Sequence, residues 1–145
     1  MTIFKTEVDV ETINKRAQNS LSDHLGILFT EVGQDFVCAT MPINEKTTQP
    51  MGIMHGGASA ALAETVGSAA ANFCIDQNEF VCVGLEINVN HLKPVSKGKV
   101  KAVAKPYHLG RKTHVWEIKL FNDDNKLVSI SRLTLAVISK AEIKK

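Results

Sequence analysis

The sequence is poor in residues that could tie a small chain together covalently. Its three cysteines, Cys38, Cys74 and Cys82, are an odd number and contain no C-x-x-C pair. Widely spaced cysteines of this kind argue against a disulfide framework and suit free thiols in a reducing compartment. We therefore expect three structural thiols in a cytoplasmic protein whose fold depends on a hydrophobic core.

An excess of charge of one sign is also absent. Seventeen basic and fifteen acidic side chains leave a formal net charge of +2, which is too little for a protein that binds nucleic acid by neutralising phosphates. We expect no nucleic-acid partner. Basic residues do outnumber acidic ones between Lys93 and Lys119, and this segment is either a surface for phosphates or a set of outward strand positions that keep an edge soluble.

Long uninterrupted apolar runs are missing as well. The segment from Gly56 to Phe73 has nearly the length of a membrane span, but it contains Glu64 and Ser68 and is otherwise mostly alanine and glycine. The N-terminus carries acidic residues and lacks the apolar stretch of a secretory signal. The motifs HExxH, GxSxG, GxGxxG and GxxxxGK[ST] are absent. The sequence therefore predicts no membrane span, no metal and no cofactor.

The sequence does contain the pattern of one long helix and several strands. Its 145 residues, 44% of them hydrophobic, favour a single domain over residues 1–145. Residues 10–21 predict a short helix within an N-terminal helical segment (1–21), and residues 25–33 and 35–43 predict a hairpin. Residues 56–76 predict the long helix, and residues 81–90 alternate between apolar and other side chains. With three further strands, the pattern predicts an α+β fold, a curled antiparallel sheet around one helix, with the last four strands forming a meander and a frayed tail at 140–145.

A single carboxylate, that of Glu64, interrupts the alanine-rich helix. It lies about 200° around the helix from Leu62 and on the same face as Ser68, one turn further on. A glutamate in such surroundings is costly unless it is paired or functional. Glu64 therefore either bonds a backbone group or a side chain such as Arg132, or takes part in a reaction.

The turn before this helix offers other parts of a reaction site. Gly56 and Gly57 can bring backbone N–H groups close to a ligand, and the helix dipole favours negative charge there. Gln49 and His55 precede them in the same turn. A carboxylate together with an amide donor for an oxyanion is the set that acyl transfer requires.

These residues resemble the hotdog-fold acyl-CoA thioesterases, in particular the branch of 4-hydroxybenzoyl-CoA thioesterase and of the 1,4-dihydroxy-2-naphthoyl-CoA thioesterase of menaquinone synthesis. The similarity runs through QPMGIMHGGASAALAETVGS and later through INVNHLKPV, KPYHLGRKTHVWEIKLF and SRLTLAVI. It implies that Glu64 is the nucleophile or general base and that Gly56 polarises the thioester carbonyl. It also implies that Gln49 and His55 position the substrate and that Ser68 orients water.

The same resemblance implies a binding surface, a partner and a substrate class. Coenzyme A would be part of the substrate, and its phosphates and adenosine would contact His91, Lys93, Gly110, Arg111 and Arg132. Two copies would share each site in a homodimer, and dimers would pair into a homotetramer. An aromatic acyl group is expected from the naphthoyl branch, although the acyl group stays open. A hotdog module that binds acyl-CoA without hydrolysis and a hotdog hydratase or dehydratase are the alternatives.

Overall fold

The six strands and the long helix follow the predicted order, whereas the short helices at residues 21–24 and 140–143 were not predicted. The computed structural model describes residues 1–143, so the end of the predicted tail, residues 144 and 145, lies outside the described residues. The elements are α1 (Val10–Arg16), α2 (Leu21–His24), β1 (Leu28–Val32), β2 (Val37–Pro42), α3 (Gly56–Phe73), β3 (Phe80–His91), β4 (Lys99–Leu109), β5 (Thr113–Phe121), β6 (Leu127–Ser139) and α4 (Lys140–Ile143).

The N-terminal helical segment consists of two short helices. Asp9 caps α1, because its carboxylate accepts hydrogen bonds from the backbone N–H groups of Glu11 and Thr12. The helix ends at Arg16, and Asn19 then adopts a φ of 60°, a left-handed conformation that breaks helical continuity. The chain re-enters a helix only in α2.

The six strands form one antiparallel sheet in the order β1-β2-β4-β5-β6-β3. The sheet curls around α3, which contacts β2, β3, β4, β5 and β6. This arrangement confirms the predicted α+β hotdog architecture. The predicted meander is wrong in one respect, because β3 pairs with β6 at the sheet edge and not with β4.

The segment between β3 and β4 explains this strand order. It does not turn back on itself, because the Leu92 N–H donates to the Val128 carbonyl and the Met54 N–H donates to the Val95 carbonyl. The chain therefore passes the N-terminal end of α3 and enters the sheet on the far side of β5 and β6. Short turn signals in the sequence are equally compatible with a hairpin, so they could not reveal this crossing.

The core lies between α3 and the concave face of the sheet. Leu62 and Val66 are fully buried against it, as are Trp116 and Ile118 of β5 and Leu133 of β6. Burial of each such side chain contributes about 1.5–3 kcal/mol to the stability of the folded state. The helix ends at Phe73, earlier than the predicted end at Asp76, because Cys74 is already its C-cap.

A bulge divides β3 into two parts. Gly84 pairs with Leu135, whereas Ile87 pairs with Leu133, so one extra residue on β3 is accommodated between these pairs, in the register shift between Gly84 and Glu86. Leu133 and Leu135 are both fully buried against the helix. Directly opposed residues lie on the same face of a sheet, so Gly84 and Ile87 both face α3.

The bulge changes which residues of β3 face the helix. Before it, Cys82 and Gly84 face α3, and after it the odd-numbered residues up to His91 do so. The apolar residues Val83 and Leu85 are 37% and 65% exposed. The regular alternation predicted for residues 81–90 is thus interrupted at Leu85.

Candidate active site

The first turn of α3 is organised by His55. Its Nδ1 accepts a hydrogen bond of 2.8 Å from the Gly57 N–H, which leaves Nε2 to carry the proton of the neutral ring. The Gly57 N–H is therefore occupied, and the expectation that both glycines present free N–H groups is wrong for this one. The Gly56 N–H belongs to the first helical turn, whose N–H groups have no acceptor within the helix.

A tight loop holds Gln49 close to this turn. Its backbone N–H donates to the Ile53 carbonyl, and its own carbonyl accepts from the Gly52 N–H. The side-chain Oε1 accepts from the Met51 N–H at 2.5 Å. With Oε1 engaged, the side-chain NH2 of Gln49 is the end available to a ligand.

His91, at the end of β3, packs directly on the start of α3. A methyl group at position 56 would lie 2.9 Å from His91 Nε2, and Gly56 is not among the residues with positive φ. A side chain at position 56 would therefore displace the His91 imidazole from its place against the helix start. Gln49, Gly56, His91 and Lys93 line one cavity of about 460 Å³, so His91 lies beside the predicted oxyanion donor.

Glu64 and Ser68 lie further along α3. Eight residues at 1.5 Å each separate Gly56 from Glu64 by about 12 Å along the helix axis. The Glu64 side chain is exposed, and no ion pair within residues 1–143 includes it. Its Oε1 lies 2.5 Å from the position that a methyl group on Gly84 would occupy. Within one chain, the Glu64 carboxylate and the Gly56 N–H are too far apart to act on the same carbonyl group.

The remaining coenzyme A candidates lie elsewhere. Gly110 and Arg111 line a separate cavity of about 410 Å³. Arg132 is exposed and lies directly across from Glu117 in the β5–β6 register, on the face of the sheet opposite to α3. The interpretation that Arg132 neutralises Glu64 is therefore wrong.

Several lysines between Lys93 and Lys119 lie on the outer face of the sheet, where they form exposed ion pairs. Lys101 pairs with Glu31 at 3.4 Å and Lys105 with Asp35 at 3.5 Å. These pairs favour the interpretation of these two lysines as outward strand positions.

Two features near the site were not predicted from the sequence. His114 is buried on the helix-facing side of β5, and burial, followed by the charges of His108 and Lys5, lowers its pKa. Gly84 faces Glu64 across the space between β3 and α3. A glycine inside a strand pattern is typical of a bulge or a close approach, and that signal was present in the sequence.

The three cysteines are free and buried, as predicted. Burial raises the pKa of Cys74 to about 12 and that of Cys82 to about 11. No group of three or more His, Cys, Asp or Glu side chains within residues 1–143 is arranged to hold a metal ion. None of the helices in this part of the chain is long and apolar enough to cross a membrane.

Comparison with known families identifies the chain. The family model of the thioesterase superfamily matches residues 51–129, which include α3, the whole of β3, β4 and β5, and the first three residues of β6. The chain belongs to the thioesterase superfamily. This membership confirms the resemblance drawn from the central motif and the prediction that the protein is a thioesterase enzyme.

Individual relatives match over almost the whole chain. The 1,4-dihydroxy-2-naphthoyl-CoA hydrolase of Escherichia coli is 41% identical over 94% of this chain and 99% of its own length. The proofreading thioesterase EntH of Cronobacter sakazakii is 41% identical, with coverage of 94% and 98%. The crystal structure of a mutant thioesterase from Pseudomonas aeruginosa superposes with a TM-score of 0.94 at 45% identity and covers 95% of this chain and 99% of that one.

Proposed function

We propose that this thioesterase hydrolyses acyl-CoA thioesters to coenzyme A and a carboxylate, with Glu64 as nucleophile or general base. The observation that carries the proposal is an exposed carboxylate, free of ion pairs within residues 1–143, on the one helix that the sheet encloses. A carboxylate so placed can approach a substrate without first breaking an interaction. We propose that the reaction uses neither a metal nor a cofactor and takes place in the cytoplasm.

We propose an aromatic acyl group, such as 1,4-dihydroxy-2-naphthoyl, as the preferred substrate. The proposal is supported by the 41% identity to the hydrolase of that thioester, and it would connect the protein with menaquinone synthesis. The cavity beside Gly56 has a volume of about 460 Å³, within the range of roughly 300–1,000 Å³ found for small-molecule sites. Ile53, Met54 and Val128 give it apolar walls against which an aromatic ring could pack.

Each site is proposed to be shared by two copies in a homodimer. The separation of about 12 Å between Gly56 and Glu64 prevents one chain from completing the site. β3 is an edge strand that exposes the apolar residues Val83 and Leu85. Such edges and apolar patches are usually covered by another chain or element. A second copy against α3 and β3 would bring Gly56 of the partner subunit to Glu64, and such dimers would pair into a homotetramer.

In this arrangement the Gly56 N–H would donate to the thioester carbonyl oxygen and stabilise the oxyanion, a contribution of about 2.7–4 kcal/mol to the transition state. Glu64 would either take a proton from water, whose oxygen then adds to the carbonyl carbon, or add its own oxygen to that carbon. In both cases the C–S bond breaks and coenzyme A leaves as the thiolate. In the second case water hydrolyses the resulting anhydride and regenerates Glu64.

The other predicted residues keep supporting roles in the proposal. Gln49 and His55 would position the thioester, and Ser68, one turn beyond Glu64, would orient water. His91 and Lys93 line the cavity beside Gly56 and would contact the pantetheine arm of coenzyme A close to the thioester. Gly110, Arg111 and Arg132 would bind the nucleotide end, which is long enough to extend across the surface of the dimer.

The test measures release of free thiol from benzoyl-CoA, 1,4-dihydroxy-2-naphthoyl-CoA and palmitoyl-CoA. Glu64→Gln removes the negative charge and keeps the shape, so kcat should fall by about 10²–10⁴. Glu142→Gln, at an exposed glutamate of the short helix α4, is the matched control and should keep the parent rate.

The proposal fails if the parent releases no coenzyme A from any of these thioesters, or if Glu64→Gln is as fast as the parent. Binding without turnover would indicate the acyl-CoA-binding module, and hydration of an enoyl-CoA would indicate the hydratase. Single-turnover hydrolysis in ¹⁸O water separates the two roles of Glu64, because only the anhydride route places label in its carboxylate.

A further inference from the structure

We propose that Gly84 is a positioning residue for the Glu64 carboxylate. Gly84 faces α3 from the bulge of β3, and a methyl group at this position would lie 2.5 Å from Glu64 Oε1. The bare backbone at Gly84 thus leaves the space that the carboxylate occupies. This inference rests on the proposed role of Glu64 and adds a residue that shapes the site without touching the reacting atoms.

The local backbone does not by itself demand glycine at position 84. Gly84 is not among the glycines with positive φ, so alanine could adopt its conformation. The next nearest atoms to an added methyl group are Glu64 Cδ at 3.7 Å and Leu133 Cδ1 at 4.0 Å, both at ordinary contact distance. Of these three atoms, only the Glu64 carboxylate oxygen lies too close to an added methyl group.

The bulge is what presents this glycine to the helix. In a regular strand, residues separated by an odd number lie on opposite faces, so Gly84 and His91 could not both face α3. The bulge after Gly84 puts both on the helix side. β3 consequently meets α3 at Gly84 beside Glu64 and at His91 beside Gly56, the two points at which the proposed reaction takes place.

A side-chain clamp prevents β3 from moving away from the carboxylate. Asn72 of α3 donates from Nδ2 to the Cys82 carbonyl at 3.2 Å and accepts at Oδ1 from the Cys82 N–H at 2.9 Å. These bonds hold β3 to the helix two residues before Gly84. An added methyl group would therefore displace the flexible Glu64 side chain, by about 0.9 Å to reach an ordinary contact of 3.4 Å.

Gly84→Ala should therefore impair turnover without loosening the fold. A misplacement of about 1 Å can cost up to about 10²-fold in rate, so we expect kcat with benzoyl-CoA to fall roughly 10- to 100-fold. KM should change little, because the methyl group added at position 84 would contact only Glu64 and Leu133, and neither is proposed to bind coenzyme A. The melting temperature should stay the same or rise slightly, since replacing glycine by alanine in a compatible conformation restricts the unfolded chain.

Combining Gly84→Ala with a second substitution, Glu64→Asp, distinguishes displacement of the carboxylate from a general structural effect. Glu64→Asp is shorter by one methylene and withdraws the carboxylate from position 84. In single-turnover experiments with excess enzyme, Gly84→Ala should then lower the residual rate of Glu64→Asp less than twofold.

Three results would overturn the inference. The first is a kcat of Gly84→Ala equal to that of the parent. The second is that Gly84→Ala lowers the hydrolysis rate by the same factor in the parent and in Glu64→Asp. The third is a loss of activity that accompanies a clear fall in melting temperature. A parent-like Gly84→Ala beside an inactive Glu64→Gln removes the inference alone. A parent-like Glu64→Gln removes the proposed function, and the inference with it.

Discussion

The shared site can be tested by dividing its two halves between chains. One chain carries Glu64→Gln, and the other carries Gln49→Ala with His55→Asn. Asparagine is a good N-cap and can replace the acceptor that His55 Nδ1 provides for Gly57. Both kinds of chain should therefore fold, and each homodimer should lack one half of every site.

The expected recovery follows from the geometry of α3. Gly56 and Glu64 are about 12 Å apart along the helix, whereas reacting atoms must approach to roughly 3–3.5 Å. If each site takes Glu64 from one copy and the loop of Gln49 and His55 from the other, a heterodimer contains one intact site and one doubly altered site. An isolated heterodimer should then show about half the parent activity, and a random mixture about a quarter.

Co-expression with two different affinity tags allows the heterodimer to be purified, and thiol release from benzoyl-CoA gives its rate. The decisive control places all three substitutions on one chain and pairs it with a parent chain. A shared site then has no intact copy, so this heterodimer should be inactive. Activity in the control together with inactivity in the first heterodimer would show that each chain holds a complete site and would refute the reasoning.

Two further predictions concern buried titratable groups. Because burial lowers the pKa of His114 below its ordinary value of 6.5, the unfolded state binds its proton more readily, and the free energy of unfolding should fall as the pH drops below about 6.5. Urea titrations over a range of pH should show this fall in the free energy of unfolding in the parent and in the exposed control His24→Gln, and a smaller fall in His114→Gln. An equal dependence of the unfolding free energy on pH in His114→Gln and the parent would contradict the prediction. The raised pKa values of Cys74, about 12, and Cys82, about 11, predict that a disulfide reagent reacts with the thiols in guanidinium but not in the native protein at neutral pH, and rapid native labelling would contradict this.

The fold was largely predictable because its main signals are local. The apolar stripe through Leu62 and Val66 is a local signal for α3, and the alternation of Trp116 and Ile118 with Glu117 and Lys119 is a local signal for β5. The position of β3 was not predictable in the same way, because pairing with β6 depends on the path of the chain past the helix end. The non-hairpin conformation of residues 92–98 depends on tertiary contacts such as the bond from Met54 to Val95.

The candidate site was predictable as a set of residues but not as an arrangement. The motif around Gly56 and Glu64 indicated the chemistry, and the helical rise of 1.5 Å already placed them about 12 Å apart. The contact of His91 with Gly56 and that of Gly84 with Glu64 both depend on the bulge of β3. A bulge is a local departure from strand periodicity. A prediction that assumes regular alternation therefore places Gly84 and His91 on opposite faces of the sheet.

The exposed residues of β3 suggest why the sequence pattern overstated the burial of this strand. Val83 and Leu85 are apolar, yet 37% and 65% of their surfaces are exposed in one chain. Apolar residues in a sequence can be buried either within one chain or against another chain. For an edge strand, the second chain can be another copy of the same protein. If the proposed dimer covers Leu85, Leu85→Lys should introduce a charge into that interface and shift the protein toward monomers. Because one chain cannot complete the site, the monomers should be inactive, whereas folded monomers with parent activity would contradict the shared site.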